Sequence, residues 1–348
     1  MSGFIDHLKG VMTAQPLRVE RLRAGVVEAF HNVDLVMVNA RGEIVAQYGD
    51  PKRPAPPRSA SKLAQAVPYI TTGAADAQKA SEAELALICA SHSGMPIHVA
   101  AINSLFEKAE IDGEKELILP PSIWEEAVKL DYARNNVTLQ RAHHMCSGNH
   151  GAMLCTACHM DEERAGYYQA THAVQQRVTE AQRQLYRLDK MPEAGLDGCG
   201  IPVYAVPLVS LAFMAVAAAK PEQAAPKHMV DAIERLVQAG LNHPDMMSSP
   251  NRVEYQVMQA ADKQLYVKLG ADGLMVMADR ASGMGLAMRV QDGSVPVVEA
   301  LTAEIVADGL GAAAPTALKR IARMEIRDPQ GNLAAYTKHG LMSARGLG

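Results

Sequence analysis

Strand-type alternation is confined to two stretches near opposite ends of the chain, and a long helical middle separates them. That distribution leaves few folds open. Val33, Leu35 and Met37 alternate after the β-branched Val26 and Val27, and Ala40-Arg41-Gly42-Glu43 forms a turn before Ile44, Val45 and Ala46. The spacing predicts a hairpin over 24–50. Residues 264–279 alternate around Gly270-Ala271-Asp272-Gly273, and residues 285–290 make a further strand closed by Asp292-Gly293. Two such stretches, so far apart in sequence, predict an antiparallel sheet assembled from both ends of one chain, an α+β fold.

The middle reads as helices. Four prolines over 51–57 make an extended connector, after which a helix begins near Ser59 and is disturbed by Pro68. Ser81 with Glu84, and Ser122 with Glu125, are capping-box signatures. Helical periodicity follows over 97–111, 147–160, 171–188, 211–219 and 229–239, with a short strand over 201–208 and a last helix over 297–310. The resulting division is an extension over 1–23, one domain over 24–340 whose helical part is about 75–262, and a small, polar, mobile tail over 341–348.

With 348 residues the chain can bury its core without disulfide or metal staples. Its 34 basic and 38 acidic side chains give a net charge of −4, which argues against nucleic acid as a partner. The longest apolar run, 211–219, is far too short to span a bilayer. No basic stretch followed by an apolar one marks a secretory signal, and five cysteines do not make a disulfide framework. The expectation is a soluble cytoplasmic protein without membrane attachment.

Chemistry concentrates in Arg58-Ser59-Ala60-Ser61-Lys62. A serine and a lysine three apart on a helix share a face, and the N–H groups of a helix start can stabilise an oxyanion. Lys62 can accept the serine proton only when neutral, a state favoured by desolvation and a nearby cation. The bland alternative is a capping serine with a solvated lysine. Cys89-Ala90-Ser91-His92-Ser93-Gly94 then reads as a site wall, and Val267-Lys268-Leu269-Gly270 puts a lysine on a strand before a glycine that lets another backbone approach. The order S-x-x-K, serine, K-x-G resembles the plan of serine β-lactamases and penicillin-binding proteins.

Five blocks narrow the likeness. Residues 57–66 resemble the R-S-A-x-K-x-x-Q-A block of the L-asparaginase II family, the rhizobial-type enzymes. Cys89-Ala90-Ser91-His92-Ser93 is similar to its C-A-S-H-S, Cys146-Ser147-Gly148-Asn149-His150 to its C-S-G-K-H, residues 197–202 to its D-G-C-x-x-P, and Lys268-Leu269-Gly270-Ala271 to its K-x-G-A. The resemblance implies a serine β-lactamase/glutaminase-like fold and a homodimer. It also implies an amidohydrolase that cleaves L-asparagine, or another linear or cyclic amide, through an acyl-serine. Ser59 would be the nucleophile, with Ser59–Lys62 and Ser91–Lys268 as two Ser–Lys pairs, and Arg58, His92, Asn149, Asp197 and Gly270 around the substrate.

One position departs from the family. Its metal site takes two cysteines and the lysine of C-S-G-K, here Cys146, Cys199 and Asn149. An amide oxygen is a poorer ligand than an amine nitrogen, so zinc is expected to be held loosely or not at all at Cys146 and Cys199. His150, His143 or His144 would replace the missing ligand if it is held. No cofactor is required by the expected reaction. A relative that binds a small ligand or metal without turnover is the alternative from another class. A third reading is a cysteine-based metal or redox protein, since Cys155-Thr156-Ala157-Cys158-His159 has haem-attachment spacing. Covalent haem implies export, and inside an amphipathic helix the match reads as chance.

Overall fold

The computed structural model describes residues 3–339. Contacts divide the chain into two units, each compact in itself. Among the described residues a sheet unit takes the chain up to Ala60, Val206–Ala224 and the segment from Gln256 to residue 339, and a helical unit takes Ser61–Ala205 and Ala225–Tyr255.

The sheet unit is built from β1 (Leu17–Arg23), β2 (Val26–Val38), β3 (Ile44–Tyr48), β4 (Leu265–Gly270), β5 (Leu274–Asp279), β6 (Met284–Val290) and β7 (Leu333–His339). The strand order is Ile326–Arg327, β7, β1, β2, β6, β5, β4, with β3 also on β2, and Met12–Thr13 parallel to β3. All other pairings in this sheet are antiparallel. The expected α+β arrangement is therefore present. The hinge of it is β2, which carries partners from both ends of the chain: β1 and β3 from the beginning, and β6 from Val33↔Val290 to Val38↔Gly285.

Strands β4 and β5 are buried along their whole length. Helix Leu208–Ala219 packs on β2, β5 and β6, and Val295–Leu310 packs on β5 and β6. Gly285 makes the first contact possible, because a Cβ there would run into the backbone of Ala212 and Val216.

The segment before residue 24, read as an extension, supplies β1. Its alternation starts with Leu17 and Val19 and is then interrupted by the irregularity at Arg21/Leu22, which hides the strand from a period-two reading. The tail over 341–348 lies outside the described residues.

In the helical unit, α1 (Lys62–Thr71) is followed by α2 (Glu82–Ile88), α3 (Pro96–Lys108), α4 (Glu126–Arg134), α5 (Ser147–His159), α6 (Ala173–Leu185) and α7 (Val230–Asn242). Helix α1 packs against α5, α6 and α7. Pro68 does not end α1, which runs on to Thr71. One turn from a helix end a proline removes a single donor, and Thr72 Oγ1 ties back to the Pro68 carbonyl at 2.7 Å. The capping box at Ser81 and Glu84 is formed as expected. The one expected at Ser122 is not. Helix α4 begins only at Glu126, since the Glu125 carboxylate accepts from Ser93 Oγ instead of capping. No helix among the described residues is long and apolar enough to cross a membrane.

Candidate active site

In the helical unit the site grows from the first residue of α1. Lys62 is only 2% exposed, so its Nζ must be satisfied by protein groups. It donates to Ala90 O at 2.5 Å, Ser91 Oγ at 3.2 Å, Met145 O at 3.4 Å and Cys146 Sγ at 3.4 Å. Those acceptors come from two places, the loop after α2 and the residues just before α5. Ser91 itself is half-buried.

Cys146 and Cys199 are brought together as a hydrogen-bonded pair of free thiols. Cys199 reaches this position on a tight turn closed by Gly200 N–H to Asp197 O at 2.9 Å, with Gly200 at φ +92°. The bond from Cys199 pulls the Cys146 thiol well below its ordinary value, with the Lys62 charge and His144 acting the same way against burial. The bond to Cys146, burial and the Cys146 charge push Cys199 upward.

One expected substrate contact is placed otherwise. His92 is fully buried with both ring nitrogens engaged, by Gly94 N–H at 3.1 Å and Ser147 Oγ at 2.9 Å, so it has no atom left for a substrate. Burial first, then the neighbouring His98 and Lys62 charges, holds it far below 6.5 and therefore neutral. Asn149 is also buried, and its Nδ2 donates to Ile88 O at 3.4 Å while Oδ1 has no partner. His150 follows it with Nδ1 on Tyr167 Oη at 2.8 Å and a value near 3, because burial excludes the charged form.

In the sheet unit Ser59 lies in the 3-10 turn Arg58–Ser61, not in an α-helix, which starts at Lys62. Arg58 precedes it at φ +49°, a left-handed conformation that costs an L-residue of this size about 1 kcal/mol. Its guanidinium is held by Asp272 Oδ2 at 2.7 Å, and Asp272 is itself at φ +56°. Gly270, at the end of β4, permits the close approach read from the sequence. A Cβ there would lie 2.6 Å from Pro57 O and 3.3 Å from the Ala60 Cβ. The turn carrying Ser59 is thus pressed against the strand that carries Lys268. Lys268 is 1% exposed and donates to Leu269 O at 2.8 Å.

The sequence model of the L-asparaginase II family matches residues 19–336, nearly the whole described chain. The chain belongs to this family. Hydrolysis of amides is the activity class that goes with it. No curated protein matches the sequence. Among solved structures, a D-alanine carboxypeptidase from Burkholderia cenocepacia is 14% identical, over 80% of this chain and 93% of that one, with a TM-score of 0.38. A candidate β-lactamase from Bacteroides dorei is 10% identical over 84% and 94%, with a TM-score of 0.36.

The resemblance read from the sequence would put a metal at Cys146, Cys199 and position 149, where this chain has an asparagine. Zinc in a closed site wants four donors. Here Asn149 is buried with its Nδ2 on Ile88 O, and Cys146 Sγ already accepts from Lys62 Nζ. Among the described residues no three of His, Cys, Asp and Glu gather as a metal site. The donor set does not fit the ion.

The haem-like spacing dissolves in the same way. Cys155 is fully buried inside α5 and Cys158 donates to Ala109 O at 3.3 Å. Sequence reasoning missed Ser147 and Asp272, the partners of His92 and Arg58. Ser147 stood inside a motif and Asp272 inside the turn Gly270-Ala271-Asp272-Gly273, but nothing in either pattern says which side chain another one holds.

Proposed function

We propose that this chain hydrolyses a small carboxamide, L-asparagine or a related linear or cyclic amide, through an acyl-serine ester. The observation that carries the proposal is Lys62, buried and fixed at Nζ by acceptors that include the Ser91 hydroxyl at 3.2 Å. A base has to be held where it works. Ser59, three residues earlier on a turn that runs into α1, attacks the amide carbon, and its proton passes to Lys62. The nitrogen leaves as ammonia once it has taken that proton. Water then attacks the ester, and the acid is released as Ser59 regains its proton. Lys268 and Ser91 form the second pair of this reading, and the working protein is a homodimer, which sedimentation would check.

The Lys62–Ser91 contact favours a second reading in which Ser91 is the acylated residue. Mass mapping of the trapped acyl-enzyme separates the two, since the ester falls either on the peptide with Ser59 or on that with Ser91. Ammonia release from a panel of asparagine, glutamine and cyclic amides tests the class. Turnover that survives in Ser59→Ala and in Ser91→Ala alike would overturn both readings, and no turnover at all in the wild type would leave a ligand-binding protein.

A further inference from the structure

The four acceptors of Lys62 stand on two walls, residues 90–91 and residues 145–146, and something must set the distance between them. We infer that His92 is a positioning residue, a strut that joins the Ser91 loop to the start of α5 and so holds both walls on Lys62. The importance of this for turnover rests on the reading proposed above. The strut itself rests on geometry alone.

The ring sits between the walls with a fixed direction. Gly94 N–H can only donate, so the Nδ1 it meets at 3.1 Å must accept, and the ring proton is on Nε2. Nε2–H then donates to Ser147 Oγ at 2.9 Å, and the Ser147 hydroxyl gives its own hydrogen to Ala142 O at 2.8 Å. The chain Gly94, His92, Ser147, Ala142 is fully paired and buried, which makes each member expensive to lose. Residues 92 and 147 are the immediate neighbours of Ser91 and Cys146, so this bond lies one residue beyond the Lys62 contacts on each wall.

Other anchors hold the loop without reaching α5. Trp124 Nε1 donates to His92 O at 3.0 Å, Tyr132 Oη to Gly94 O at 2.8 Å, and Met95 N to His98 Nδ1 at 3.1 Å. A second side-chain link from α5 to this end of α2 is the longer bond of Asn149 Nδ2 to Ile88 O at 3.4 Å.

Two amide side chains divide the ring's functions. His92→Asn places a polar atom where Nδ1 sits and keeps the Gly94 bond, and His92→Gln places a donor where Nε2 sits and keeps the Ser147 bond. The strut requires that His92→Asn lower kcat per titrated active site by about 10- to 100-fold with KM within about twofold. His92→Gln should stay within about threefold of wild type, Ser147→Ala should match His92→Asn, and the double variant should be no worse than either. Unchanged kcat in His92→Asn, or losses that multiply in the double variant, would overturn the assignment. If the wild type turns over no amide, the functional reading fails by itself, and the strut is read by hydrogen exchange of the amides of residues 144–147. Faster exchange in His92→Asn than in His92→Gln supports it, and equal exchange overturns it.

Discussion

In the helical unit, Lys62 and Ser91 are placed by side chains and carbonyls that satisfy one another in a buried network running from Ala90 to Ser147. In the sheet unit, Ser59 is placed by backbone. A left-handed Arg58 precedes it, a left-handed Asp272 grips that arginine in the open, and the bare Cα of Gly270 lets Pro57 and Ala60 come close. Hydrogen bonds tolerate small displacements and fail when a partner is removed. Close backbone contact tolerates loss of a surface charge and fails when an atom is added. The two units should therefore be vulnerable to opposite kinds of change.

The largest effect belongs to Lys62→Met. It should lower ammonia release by about 1000-fold or more, since a base contributes on that scale and every acceptor around Nζ loses its donor. Activity left within tenfold of wild type would remove the helical unit from the chemistry. Gly270→Ala comes next. One methyl against the Pro57 carbonyl must shift the turn bearing Ser59, with a loss of about 100-fold in kcat. If addition of that atom is harmless, backbone contact is not what places the serine.

Asp272→Asn should cost only about three- to tenfold, because its carboxylate is 62% exposed and such pairs are weak. Added salt should mimic the change in the wild type and leave the variant indifferent. The last effect is on stability and not on rate. His150 titrates near 3 in the folded protein against an ordinary 6.5, so below about pH 6.5 the unfolded chain takes up a proton that the folded one refuses. Stability is then complete above that pH and drains toward pH 3, a slope that denaturant titrations should find shallower in His150→Asn.

The strands and helices were legible wherever their period was uninterrupted, as in β2, β5 and α6. β1 was lost to an irregularity at Arg21/Leu22, and the start of α4 to a glutamate that satisfies Ser93 in place of its own helix. Motifs singled out Ser59, Lys62, Ser91 and Lys268 as the residues proposed to react, because chemistry restricts residue type at fixed spacing. They could not expose that His92 faces inward. A histidine that binds substrate and one that ties two segments together are the same letter, and only the partners of its two nitrogens tell them apart.

The pairing of Val38 with Gly285 joins positions 247 residues apart along the chain. On a ribosome adding about 5–20 residues per second, β2 emerges roughly 12–50 s before the strand that completes its other edge. Helices α1 to α7 are all synthesised within that interval. Order of manufacture thus runs against order in the sheet, and β2, apolar over Val33–Val38 but for Asp34, spends the interval with an open edge. Chaperone demand for this protein should be set by that wait.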